Sequence, residues 1–179
     1  MPIYKFLEDA MRNRRARVIL FCAAMAVASS LRANWPQWRG PNSNGSTKTA
    51  HSLPVKWTQT QNVAWRTKLP SWSAATPIVW ADTIFVTSAE EGSATLSGGF
   101  ARRFSRTAAP DKIFLIAVNR KDGAIRWRQQ IDSGNQIFRK QNSASPSPIT
   151  DGVHVWIVTG NGKFLCLTMD GKEVWKRDI

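Results

Sequence analysis

The sequence predicts an all-β repeat fold of about two four-stranded antiparallel units, with a lone N-terminal strand in front of them. Three observations predict it. The second half of the chain repeats itself: Thr76-Pro77-Ile78-Val79 leads into Thr83-Ile84-Phe85-Val86-Thr87-Ser88, and Ser147-Pro148-Ile149-Thr150 leads into Val155-Trp156-Ile157-Val158-Thr159-Gly160. Each copy then closes with an apolar strand, a Gly turn and a Trp: residues 113–117, Gly123 and Trp127 in one, residues 164–167, Gly171 and Trp175 in the other. No stretch after residue 33 keeps apolar residues at helical spacing over three turns. One such unit cannot bury its own apolar face, so it must stack on a copy of itself.

Residues 1–33 read as an N-terminal extension and a secretory signal. Arg12, Arg14, Arg15 and Arg17 form the basic region, and residues 18–31 form an apolar run of 14 that ends in small residues. Leu31-Arg32-Ala33 offers a cleavage site that leaves Asn34 as the new terminus, and Met11 is the expected start. A run of that length falls short of the about 20 residues a membrane-spanning helix needs, so no integral membrane protein is expected after cleavage.

Residues 34–62 form a polar, turn-rich lead, Asn34-Trp35-Pro36-Gln37-Trp38-Arg39-Gly40-Pro41 and onward. Its Pro and Gly exclude a helix and favour a coil pinned by Trp35 and Trp38. Val63-Ala64-Trp65-Arg66 is a short strand candidate, and the repeats fill the rest of 63–179.

The second repeat, about 146–177, has crisp boundaries. Its strand one ends at Asp151-Gly152, strand two covers 153–159, strand three 163–168 and strand four 172–176. Gly160-Asn161-Gly162 and Met169-Asp170-Gly171 turn the chain, with Asn-Gly and Asp-Gly supplying the positive φ angles of tight hairpins. Four short antiparallel strands per unit make a propeller blade. The first repeat, about 75–130, has the same plan with an insert at 89–111. A long loop in a compact domain is either disordered or functional. If ordered, its Arg102, Arg103 and Arg106 would receive an anionic group.

Composition narrows the function. At 42% apolar, the chain can build a core. The net charge is +13, of which residues 1–33 hold six basic and two acidic side chains, so the mature part keeps +9. That favours acidic partners in general. No more than two basic residues adjoin anywhere after residue 33, and no nucleic-acid motif accompanies them, so nucleic acid is not an expected partner. Cys22 leaves with the signal, and Cys166 remains alone in an apolar strand as a buried, inert thiol. His51 and His154 are isolated, so no metal-ligand spacing exists. Asp82, Asp122, Asp151 and Asp170 fall in turns, where Asp serves backbone geometry. No catalytic residue is assigned. Trp72 and Trp80 have two readings: with the Arg insert they bind a sugar or polyanion, or Trp80 packs between blades.

The segment Ala117-Val118-Asn119-Arg120-Lys121-Asp122-Gly123-Ala124-Ile125-Arg126-Trp127 resembles the tryptophan-docking motif of pyrroloquinoline quinone (PQQ) repeat propellers, Ala-x-Asp-x-x-x-Gly-Lys-x-x-Trp. Asn119 stands for the Asp and Ala124 for the Lys. The second copy, Cys166 through Gly171 to Trp175, is one residue shorter, with Cys166 as the small residue. In that family the small residue leaves room for an indole from the adjacent blade, and the Gly lets it lie flat on the backbone. The resemblance thus implies structural docking roles for Trp65, Ala117, Gly123, Trp127, Cys166, Gly171 and Trp175, with Trp65 on a strand that closes the ring. It covers the chain from Asn34, including the Trp-Pro-Gln-Trp-Arg-Gly-Pro-Asn lead.

The resemblance implies an exported PQQ-like propeller, periplasmic or extracellular, acting as a non-catalytic binding or assembly scaffold for a protein or a cell-envelope polymer. The alternative it allows is the N-terminal part of a PQQ-dependent quinoprotein dehydrogenase. No cofactor is expected for this chain, since PQQ with calcium would belong to a full-length enzyme homologue. Propellers close with roughly four to eight blades. Two blades and a closing strand are therefore an incomplete ring, as in a fragment. If the chain is complete, oligomerisation would close it. A two-blade monomer would leave sheet faces and docking Trp residues uncovered.

Overall fold

Ten β-strands and no helix make up the described residues of the computed structural model, which are 34–47, 53–90, 112–138 and 141–179. The expected signal in 1–33 and the insert arginines Arg102, Arg103 and Arg106 lie outside them. Asn34–Ile179 forms one compact unit.

The first blade is β1 (Ile78–Trp80), β2 (Thr83–Ala89), β3 (Lys112–Asn119) and β4 (Ile125–Ser133), joined side by side in chain order and all antiparallel. A short ladder of β5 (Ile137–Phe138) with β6 (Gln141–Asn142) links it to the second blade, a ladder the sequence had not announced. The second blade is β7 (Ile149–Thr150), β8 (His154–Val158), β9 (Lys163–Thr168) and β10 (Glu173–Asp178), again in chain order and antiparallel. The registers match between the copies. Ile78 pairs with Phe85, which pairs with Ala117, which pairs with Trp127. In the same places Ile149 pairs with Trp156, then Cys166, then Trp175.

Burial follows from stacking. The run 113–118 of β3 is buried on both of its faces, because this strand sits in the middle of a sheet covered on both sides. One core joins the blades: Ile78, Phe85, Leu115 and Ala117 of the first meet Val155, Ile157, Leu165 and Leu167 of the second. A smaller core lies on the other face of blade one, where Val86, Phe114, Ile116 and Val118 take Trp65 and Leu69 from the N-terminal segment.

Several expectations are corrected. Residues 63–66 form no ladder with any described strand. Trp65 is engaged on the face of blade one and with the carbonyl of Arg120 in the β3–β4 turn, so the segment packs on the sheet rather than beside one of its edges. Strand two of the second copy is shorter than 153–159, and Val153 is 63% exposed. Strand four runs later, to Asp178, and Ala89 belongs to β2, paired with Ile113, rather than to the insert. Apart from the two-residue β1–β2 turn, where Ala81 takes φ 51°, the hairpin turns place positive φ on glycines (Gly123, 77°; Gly162, 83°; Gly171, 87°), while Asp122, Asn161 and Asp170 stay at negative φ. These are three- and four-residue loops with a left-handed Gly at the end, a form that needs one positive φ where the two-residue loop needs two. Trp35 pins the lead, bridging to Val79 by two backbone hydrogen bonds of 2.8 Å, whereas Trp38 is 62% exposed.

A buried polar latch completes the junction. The Asp132 carboxylate accepts from Thr159 Oγ1 at 2.6 Å and Asn161 Nδ2 at 3.0 Å, and Asn161 Oδ1 accepts from Ser143 Oγ at 2.7 Å. Asp132→Ala would strand the buried Thr159 hydroxyl, while the Asn161 amide would keep its bonds to Ser133 O and Gly134 O. We expect a loss of about 1–3 kcal/mol, read as a lower urea midpoint at unchanged slope, with Asp132→Asn losing less.

Candidate functional site

The most constructed feature of the molecule is a set of indole rings lying on left-handed glycines. Trp127, on the outer strand β4 of blade one, lies over Gly171 in the β9–β10 turn of blade two. A Cβ added at Gly171 would come 2.9 Å from Trp127 Cδ2 and Cε3. The indole Nε1–H donates to Met169 O at 3.2 Å in the same turn. Trp65 repeats the arrangement on blade one: a Cβ at Gly123 would meet its Cε3 at 2.5 Å, and its Nε1–H donates to Arg120 O at 2.9 Å. Thr67 Oγ1 adds a bond to Gly123 O at 2.5 Å.

Local chemistry builds each socket. In the β3–β4 turn, Gly123 N–H donates to Asn119 O at 2.9 Å, and Asn119 N–H to Ala124 O at 2.8 Å. Asn119 Oδ1 accepts from Lys121 N–H, and Asp122 Oδ1 from Ala124 N–H. An amide oxygen thus does at 119 what a carboxylate oxygen could do. In the β9–β10 turn, Gly171 N–H donates to Thr168 O at 3.0 Å, and Thr168 N–H to Lys172 O at 2.9 Å. That loop is one residue shorter, which accounts for the shorter motif.

The remaining motif residues fall around these sockets. Ala117 is fully buried, opposite Phe85 and Trp127, whose rings stand 5.8 Å apart. Cys166 is buried in the matching place, opposite Trp156 and Trp175. Trp175 lies on no glycine among the described residues; it stands edge-on to Phe164 at 4.9 Å.

The sequence reading missed two further stacks. Trp80, at the end of β1, covers Gly152 in the β7–β8 turn, where a Cβ would meet its Cε2 at 2.2 Å. Trp35 covers Gly40 of its own turn. The Asp151-Gly152 dipeptide was the available signal, since a left-handed glycine (φ 91°) beside a lone Trp on the next blade invites such contact. Trp80 is therefore spoken for by packing. Trp72 is 49% exposed, and its carbonyl accepts from Asn142 Nδ2 at 2.9 Å.

The turn carboxylates are engaged locally. The Asp151 carboxyl is held below its ordinary value, first by the His154 backbone N–H and then by that of Val153. Asp170 is held low by the Thr168 hydroxyl and then by Lys172. Lys163 is pushed up by its bond to Asp178. Burial pushes the Cys166 thiol up, and the ladder sets it beside Trp156 while His154 pairs with Thr168. No three His, Cys, Asp or Glu side chains gather among the described residues. No helix among them is long and apolar enough to cross a membrane.

Two outcomes follow. Gly171→Ala forces a Cβ into a left-handed backbone and against the Trp127 ring. We expect at least about 1–2 kcal/mol of destabilisation from the backbone alone, seen in urea unfolding, and a shifted tryptophan emission as the indole is lifted. The depressed carboxyls of Asp151 and Asp170 contribute stability that is present above the unfolded value of 3.8 and lost as pH falls through the lower folded values. The urea midpoint should hold from neutral pH to about 5 and fall below about 4. Asp151→Asn should flatten that fall.

Comparison with known proteins bears on the same residues. A search of curated proteins gives no match. Residues 52–179 match the family model PQQ_2, described as outer membrane protein assembly factor BamB. That stretch holds both blades, both sockets and the Trp65 segment, and the chain belongs to this PQQ-repeat β-propeller family.

Proposed function

We propose that this chain is an exported, non-catalytic repeat scaffold that binds a protein in the cell envelope and supplies two blades of a ring that needs more. The observation that carries the reading is how the chain uses its polar side chains. Asp132 ties the blades together, Asp122 and Asp151 cap backbone N–H groups of their turns, and Asp170 is held by Thr168 and Lys172. Carboxylates used this way shape a rigid surface. The family description, an assembly factor of the outer membrane, supports a protein as the partner. Export is supported by the basic cluster Arg12, Arg14, Arg15 and Arg17 ahead of the short apolar run 18–31. Periplasmic or extracellular placement follows from it, and neither PQQ nor a metal is required.

Expression in a bacterial host tests both halves. The protein recovered from the periplasm should begin at Asn34 by N-terminal sequencing, whereas an intact N-terminus retained in the cytosol would count against export. After incubation with PQQ and calcium and removal of free quinone, the protein should carry no quinone absorbance. Retained quinone would overturn the scaffold reading in favour of the dehydrogenase alternative.

A further inference from the structure

The stretch from Asn34 to Ala81 holds no Asp or Glu, against five Lys and Arg and six of the nine Trp. Packing accounts for three of those indoles, since Trp35, Trp65 and Trp80 lie on glycines. Trp38 and Trp57 lie on none and are 62% and 68% exposed. Each adjoins a cation in the chain, Arg39 for one and Lys56 for the other. Neither cation forms an ion pair with a described residue. An exposed Trp beside an unpaired cation, on a stretch without acids, thus occurs twice.

Both pairs sit on loops that hold their own shape. In the first, Gly40 N–H donates to Gln37 O at 2.9 Å, Gly45 N–H to Arg39 O at 2.9 Å, and Gln37 Nε2 to Ser43 Oγ at 2.8 Å. Arg39 is held there at φ 63°, a left-handed backbone in which Gly is the unstrained residue. Its side chain gives the fold little in return: it is exposed, and its guanidinium lies 5.5 Å from the Trp38 ring centroid, hydrogen-bonded to no described residue. Strain kept for a side chain that the fold does not use points to function. In the second loop, Asn62 Nδ2 donates to Lys56 O at 2.8 Å, and Thr58 Oγ1 accepts from the Thr60 and Gln61 N–H groups. Asn62 is itself at φ 60°. Loops already ordered lose less freedom on binding.

We propose that this lead binds an acidic polysaccharide, with Trp38–Arg39 and Trp57–Lys56 as two subsites for hexuronate units. An indole offers a flat apolar face to the C–H face of a pyranose ring. A guanidinium offers paired N–H donors to a carboxylate, and an ammonium offers a point charge. In a hexuronate the ring itself carries the carboxylate, so a Trp with an adjoining cation meets both parts of one unit. In a nucleotide the charge lies a sugar away from the flat base, which one such pair does not span. Two copies of the pair suit a ligand that repeats, because two linked weak sites gain affinity through effective concentration. This occupant is additional to the protein of the scaffold reading, and it suits a chain displayed in the cell envelope.

Titration of the mature chain with a galacturonate oligomer, followed by tryptophan emission and calorimetry at low salt, tests the proposal, with far-UV circular dichroism confirming the fold of each variant. The oligomer should bind and change the emission, and its methyl ester, the same ring without the charge, should bind about tenfold more weakly. Trp38→Ala and Trp57→Ala should each weaken binding by about tenfold. Arg39→Gly separates binding from folding, because it removes the side chain and relieves the left-handed backbone. Its urea midpoint should stay or rise, while affinity for the oligomer falls by about tenfold and affinity for the ester holds. A mature chain that does not bind the oligomer, an ester that binds as tightly, or Trp variants that bind like the wild type would overturn the site. Tighter binding to oligothymidylate, polyglutamate or phosphatidylglycerol vesicles would overturn the polysaccharide as occupant. None of these results bears on the mature N-terminus or on quinone retention, so the scaffold reading is judged separately.

Discussion

The structure depends on an indole ring lying flat on a glycine in the left-handed conformation. A hairpin that ends in positive φ needs Gly, because any Cβ is strained there. The same missing Cβ leaves a bare strip of backbone, and at Gly171 and Gly123 that strip is where Trp127 and Trp65 rest. The indole brings large apolar area and one N–H, and the turn supplies the carbonyl that accepts it. Turn chemistry and long-range packing are thus decided by one residue type. Since Trp127 leaves the outer strand of one blade and Gly171 turns the next, the interaction cannot form within a blade. It makes stacking a condition of satisfying the side chain.

The rest of the junction is organised around that fastening. On the inner side, polar groups cross from blade to blade: Thr87 Oγ1 donates to Ala144 O at 2.7 Å, and Thr76 N–H to Ser147 Oγ at 2.9 Å. Near the far end of β4, Asp132 grips Thr159 and Asn161, and Lys176 Nζ reaches Ile131 O at 3.2 Å. Between them runs the apolar core from Ile78 to Leu167. A satisfied polar network flanking an apolar core fixes the relative register of two sheets that apolar packing alone would leave free to slide. This rigidity, with carboxylates used for turns and latches, suits a surface that holds a partner.

Much of this was legible in the residues. The repeat, the Gly turns and the small residues Ala117 and Cys166 carry it, since their spacing obeys local rules: period two along a strand, and glycine where φ is positive. The bounds of β9 could be read directly because Gly162 and Met169-Asp170-Gly171 enclose it. Val153 and residues 63–66 show the limit. Both have strand-like composition, yet a strand exists only where an edge offers hydrogen bonds, and that edge is supplied by residues distant in the chain. Trp80 shows it again, because nothing near it in sequence names Gly152 as its cover.

The sequence by itself determined the all-β class, the two four-stranded units and the chemistry of their turns, because those follow from periodicity and from the φ preferences of single residues. Only the tertiary structure decided which indole meets which glycine, that Trp35 rather than Trp38 anchors the lead, and that blade one carries apolar packing on both of its faces. The reason is physical: a side chain's partner is set by which surfaces come together in space, and apolar burial is indifferent to the order of residues along the chain.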